Sequence, residues 1–197
     1  MKGRLKLFIP LILFAVMGFF LFRGLSFNPQ SMPSALIGQP FPEFALPSLS
    51  DPQQMITTDD LEGRVALVNI WATWCPACSH EHPFLNKLAA EQIVPIYGID
   101  YKDERASALK WLANGGDPYQ INIFDSEGKL GVDLGVFGAP ETFVIDHLGV
   151  IRYRHVGIVD QRVWTNTLEP IVESLKLTAE QARLQGKSSS LVADRQE

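Results

Sequence analysis

The chain has 197 residues, of which 46% are hydrophobic, enough for one domain with a real core. Its net charge is −5 and it contains no block of lysines or arginines, which sets aside a nucleic-acid surface of the usual basic kind. Two cysteines exclude a disulfide-dense scaffold.

Lys2, Arg4 and Lys6 precede an apolar run from Leu7 to Phe22, which Arg23 closes. The run is 16 residues long, short of the roughly 20 that span a bilayer as a helix. Leu5 and the aliphatic stem of Lys6 extend it, so the candidate span is residues 5–22. A cleaved leader would need a small-x-small site, for which Gly24-Leu25-Ser26 is a poor substitute. Residues 1–23 therefore read as an uncleaved signal anchor and transmembrane helix. Three basic residues before the span and one after it place the N-terminus in the cytoplasm and the remainder in an oxidising compartment. Residues 24–36, with Pro29 and Pro33 among polar residues, read as a tether.

The folded domain is expected over 37–177. Ile37 to Leu49 reads as an entry segment confined to a sheet edge by its prolines. Val65–Ala72 is apolar on both faces and rich in β-branched residues, the pattern of a central, doubly covered strand. Pro76 to Gln92 is helix-sized, with a Phe84, Leu85, Leu88, Ala89 stripe; Pro76 suits a first turn, and Pro83 predicts a kink or restart. Ile93–Asp100 is the next strand, giving a parallel βαβ unit. Asp103 reads as the N-cap of a helix to Asn114, stopped by Gly115 and Gly116. Ile121–Asp125 is a short strand. Glu141–Asp146 and Val150–Val156 form a hairpin around His147-Leu148-Gly149. Asp160 caps a last helix, in which Pro170 predicts a kink. Residues 178–197 read as a polar, flexible tail.

The stretch WATWCPACSHEHP, Trp71–Pro83, holds both cysteines. A ring closed over so few residues restrains the unfolded chain little, so a purely stabilising disulfide is disfavoured. Cys75 falls where the central strand ends and a helix begins. Sites in open α/β sheets gather at such strand ends, and the positive tip of a helix favours thiolate over thiol. Cys75 is then the exposed nucleophile and Cys78, one turn on, the resolving thiol. Three other readings compete. A metal carrier would use Cys75, Cys78 and His82, which share a helix face, while His80 points away. Haem attachment through C-x-x-C-H fails because Ser79 follows Cys78. For His80 and His82 the plain reading is a solvated helix face.

VALVNIWATWCPAC resembles the active-site strand and motif of the thioredoxin superfamily, and GVFGAPETFVID, Gly135–Asp146, resembles its cis-proline segment. The combination with the anchor is similar to membrane-anchored cytochrome c maturation proteins of the CcmG/DsbE type, over roughly Ile37 to Leu175. The resemblance implies an α/β thioredoxin fold: a mixed central sheet flanked by helices, with an extra helix–strand insert contributed by Asp103–Asn114 and Ile121–Asp125. It implies Cys75 as nucleophile, Cys78 as resolver, Trp74 as a shield over the pair, and a cis bond before Pro140. Asn69 stands where a plain thioredoxin has a buried, titrating aspartate. Glu81 and Glu141 are the carboxylates that could take its part, lining an acidic groove. The implied activity is that of a protein-disulfide reductase on the periplasmic side of a bacterial inner membrane. It would use no cofactor beyond its own disulfide. Its substrates would be the C-x-x-C-H cysteines of apocytochrome c or a haem-ligation partner, and a membrane thiol reductase would recharge it. A general reductase or an oxidant fits the same residues, because about 30 mV shifts the exchange equilibrium tenfold. A peroxidase of related fold is disfavoured, since nothing around Cys75 resembles a peroxidatic cysteine's setting.

Overall fold

In a computed structural model of the chain, residues 2–25 and 35–193 are described, in two compact units, Met1–Met32 and Pro33–Glu197. The first unit holds helix α1, Lys2–Leu25, whose apolar side chains Leu11, Ile12, Leu13, Phe14, Val16, Met17, Phe19, Phe20, Leu21 and Phe22 are all exposed. Its described side chains run from Pro10 to Arg23, about 21 Å of helix. Among the described residues no helix is long and apolar enough to cross a membrane. Most of the expected tether, residues 26–34, lies outside the described residues.

The second unit is built on a five-stranded sheet. Its strands are β3 (Ala66–Trp71), β4 (Ile96–Tyr101), β5 (Ile121–Asp125), β6 (Glu141–Ile145) and β7 (Ile151–Val156), in the order β5-β4-β3-β6-β7. β3, β4 and β5 are parallel, β6 runs antiparallel to β3, and β7 runs antiparallel to β6, so the sheet is mixed. Every residue of β3 and β4 is buried, as expected for strands covered on both faces. β4 starts three residues later than its apolar run, because Pro95 has no N–H to give the ladder; its carbonyl accepts from Leu67 N instead.

Strand alternation divides the core in two. On one face Leu67, Trp71, Ile96 and Val144 pack with Leu85 and Leu88 of α2 (Pro76–Ala90) and Ala108 and Leu112 of α3 (Arg105–Gly115). Trp164, Leu168 and Val172 complete that layer. On the other face Val68, Ile70, Ile99, Phe143 and Ile145 meet Phe41, Ile56, Leu61 and the short helix α4 (Lys129–Asp133). The entry segment crosses this second face, bridging Pro40 to Val150 at one edge and Ser48 to Ile123 at the other. On the way it forms β1 (Ala45–Pro47), antiparallel to β2 (Met55–Thr57).

Several local expectations give way to tertiary contacts. α2 runs unbroken through Pro83, whose ring lies on the exposed side. Asp103 does not cap α3: Glu104 is the N-cap residue, and the Asp103 carboxylate is taken by Thr73 instead. Asp160 does cap the last helical segment, accepting from Val163 N at 2.8 Å. After the single turn α5 (Gln161–Val163) the chain widens into a π turn, Trp164–Leu168, closed by Glu169 N donating to Trp164 O. The wide turn delivers Pro170 to the first turn of α6 (Glu169–Ala193), where a proline is tolerated. α6 runs on past Thr178, so the stretch read as an open tail is helical as far as it is described.

Candidate active site

Cys75 is the N-cap of α2, in an extended conformation (φ −96°, ψ 105°), with Pro76 in the first helical turn. Its sulfur takes the position of a capping oxygen and accepts from Cys78 N at 3.0 Å. The helix tip thus presents both an N–H and its positive end to this sulfur. Cys75 and Cys78 are joined as a disulfide, with Cα atoms 5.3 Å apart. Both are buried, 3% and 2% exposed, so exposure does not separate them in this oxidised state. The expected exposed Cys75 is covered from the β6 side. The Ala139–Pro140 bond is cis, and the Ala139 carbonyl lies 3.3 Å from the Cys75 sulfur. Trp74 is 51% exposed; its indole N–H donates to Lys102 O and its ring leans against Tyr101.

Glu81 is not on a solvated surface. It is 1% exposed, one helical turn beyond Cys78 on the face of α2 that meets the sheet. Val159 N donates to its Oε1 at 2.8 Å and Asn69 Nδ2 to its Oε2 at 3.1 Å. The Asn69 amide is fixed in turn: Nδ2 also donates to Thr142 Oγ1, and Tyr119 Oη donates to Oδ1 at 2.8 Å. Burial outweighs these bonds and pushes the Glu81 carboxyl up to about 7. Asn69 cannot titrate, but it holds a group that does.

Glu141 follows Pro140 in sequence and is also buried, but it serves the opposite face. Its register partner is Ile70, whereas Asn69 and Thr142 are partners on the α2 side. It forms an ion pair with Arg154, whose Nε lies 2.7 Å from Oε2 and whose Nη2 also donates to Gly135 O. Burial raises its affinity for protons, and Arg154 opposes this. A groove lined jointly by Glu81 and Glu141 does not form, because the period-two alternation of β6 separates them.

His80 is exposed, as read, with Nδ1 2.8 Å from Pro76 O. His82 is not: it is buried against Trp111, ring centroids 4.1 Å apart, and its Nε2 donates to Gly116 O. Burial lowers its proton affinity. Turned that way, it does not join the two sulfurs as a ligand. Among the described residues no group of three or more His, Cys, Asp or Glu is placed to hold a metal ion. The redox group is the disulfide itself.

Sequence alone does not single out Tyr119, Thr142, Val159 and Arg154, the partners of Asn69, Glu81 and Glu141. Each lies at least ten residues from the cysteine motif, and only chain pairing brings it to the site. The one available signal was the polar Asn69 inside an otherwise apolar strand, which demands buried partners.

The comparisons with known proteins agree with this geometry. Residues 36–171 match the Redoxin family model. The chain is 54% identical over 172 residues to the thiol:disulfide interchange protein DsbE of Pseudomonas aeruginosa, covering 87% of this chain and 95% of that one. It is 46% identical over 184 residues to the DsbE of Escherichia coli K12, covering 90% and 99%. A candidate DsbE from Chlorobium tepidum has a crystal structure that superposes with a TM-score of 0.61 at 26% identity, covering 71% of this chain and 96% of that one. With its disulfide at the tip of α2 and a thioredoxin-like sheet behind it, the chain belongs to the Redoxin family, in the group of DsbE thiol:disulfide interchange proteins.

Proposed function

We propose that this protein is a periplasmic thiol–disulfide oxidoreductase, anchored in the inner membrane by residues 5–22, that reduces the cysteine pair of apocytochrome c or of a haem-ligation partner. The observation that carries the exchange chemistry is the Cys75 sulfur capping α2, with Cys78 behind it and the buried Glu81 carboxyl one turn deeper. The anchor rests on the run Leu7–Phe22, the basic residues before it, and the apolar side chains of α1 that stand exposed. The cytochrome substrate rests on the resemblance of the motifs to the maturation proteins.

In the reduced protein, Cys75 would attack as thiolate, stabilised by the Cys78 N–H and the helix tip. A bond forms between Cys75 and one substrate sulfur; the substrate S–S bond breaks, and the second sulfur leaves and takes a proton. Cys78 then gives its proton to Glu81 and attacks the Cys75 sulfur. The mixed disulfide breaks, the first substrate sulfur leaves as a thiol, and the oxidised pair seen here remains. Two electrons from a membrane thiol reductase would restore the dithiol. The cis-proline strand offers backbone for an extended substrate to pair with in β fashion.

Replacing Cys78 with alanine and isolating the mixed disulfides tests this reading. The trapped partners should be apocytochrome c or proteins of its maturation. A spectrum of unrelated periplasmic proteins would reject the assigned substrate and leave a general reductase. No trapped species from Cys78→Ala, together with activity in Cys75→Ser, would reject the roles of both cysteines.

A further inference from the structure

At the carboxyl end of β4 lies an acid that this exchange chemistry does not use. Asp100 is 0% exposed, and no donor reaches either of its side-chain oxygens. It is the register partner of Trp71, the last residue of the strand that leads to the cysteines. It faces Asp103, in the loop before α3. Asp103 is well supplied: Oδ2 accepts from Thr73 N at 2.5 Å, and Oδ1 accepts from Thr73 Oγ1 at 2.8 Å and Glu104 N at 2.7 Å. Asp103 thus accepts from three donors. None reaches Asp100.

The neighbouring cation is occupied elsewhere. Arg105 Nη1 donates to the Ser48 and Leu49 carbonyls, and its guanidinium lies over the Phe124 ring. Asp125 on β5 adds another negative charge. A buried carboxyl without a donor, beside two acids, keeps its proton, and burial followed by Asp103 raises its pKa to about 8. Two facing carboxyls attract only when one of them carries a proton, and here that proton belongs to Asp100.

We propose that Asp100 is a positioning residue for the reactive turn: as the neutral acid it donates to Asp103, and Asp103 in turn fastens Thr73, two residues ahead of Cys75. Thr73 lies inside the turn that Cys75 N closes onto Ala72 O at 3.3 Å. Loss of the proton sets two carboxylates against each other, loosens the hold on Thr73, and adds negative charge near the sulfur. Both effects disfavour the Cys75 thiolate, so alkaline pH blunts its reactivity. The charged groups within electrostatic reach of Asp100 are Asp103, Arg105 and Asp125, and Tyr119 is within reach as well. The Tyr119 hydroxyl stays protonated well above the usual tyrosine range, so it does not titrate in this window.

The inference rests on Cys75 as the attacking sulfur. The test is alkylation of the reduced full-length protein by iodoacetamide, followed at Cys75 by peptide mass from about pH 6 to about pH 9.5, in the native sequence, Asp100→Asn and Asp100→Leu. Asparagine keeps a donor toward Asp103 and cannot ionise. Asp100→Asn should match the native protein within about twofold at the acid end and react about threefold faster or more at the alkaline end. Asp100→Leu, with no donor, should be slower than both at the acid end. A native-to-Asn ratio that stays constant with pH overturns the proposal, as does Asp100→Leu behaving like Asp100→Asn. If Asp100→Leu fails to fold in thermal unfolding, the pH course of the Asp100→Asn ratio decides alone. The site of first labelling is a separate readout: Cys78 labelled before Cys75 would reject the attacking-sulfur assignment, whereas the ratio at Cys75 decides the role of Asp100.

Discussion

Replacing Glu81 with glutamine should make the stability of this protein less dependent on pH. Burial lifts the Glu81 carboxyl from 4.5 to about 7. The native state therefore holds this proton where the unfolded chain has released it. The contribution is complete below about pH 4.5 and is lost as pH rises through about 7. At roughly 1.4 kcal/mol per tenfold change in acidity, the loss amounts to about 3 kcal/mol by pH 8. Glutamine does not titrate. Its amide has one oxygen for two donors, Val159 N and Asn69 Nδ2, so one buried N–H goes unpaired at a cost of about 1–3 kcal/mol. Glu81→Gln should therefore be less stable than the native protein at about pH 4.5 and draw level with it or pass it by about pH 8. Urea unfolding of the oxidised full-length protein across this range measures the difference, and every other titrating group cancels in it. The release step of the exchange should also slow by about a hundredfold and lose its inflection near neutrality. A difference in stability that stays flat across the range would refute the reasoning, because Glu81 would then not carry the proton.

Arg154→Met strips the partner from a Glu141 whose side chain is only 2% exposed. The expected loss is about 3 kcal/mol near neutral pH. It should shrink as pH falls, because the carboxyl, already raised by burial, takes up a proton; chemical denaturation at two pH values reads it. Gly98→Ala would place a Cβ 2.5 Å from Asn122 Oδ1 and 2.8 Å from Trp71 Nε1 and Tyr119 Cγ. The strain should cost about 1–3 kcal/mol. It should also disturb the stack of Trp71 between Trp111 and Tyr119, visible in tryptophan fluorescence and in the unfolding midpoint.

The linear order of residues was enough to place the cysteines at a strand-to-helix junction. The all-apolar run before them and Pro76 after them are local signals, and both act through the backbone of their own segment. The same holds for β5, the β6–β7 hairpin, the Gly116 stop and the Asp160 cap. What the sequence could not decide was the direction in which polar side chains face and what they meet. Glu81 and Glu141 read alike as acids near the motif. Helix phase buries one beside Asn69, and strand phase turns the other to Arg154 on the far side of the sheet. Asp103 reads as a helix cap until Thr73, thirty positions away in the chain, claims it. His82 reads as surface until α3 brings Trp111 onto it. In each case burial and the hydrogen-bond partner come from chain segments far apart in sequence, and these fix the charge state of a group. The electrostatics of the site is therefore a property of the assembled sheet and helices.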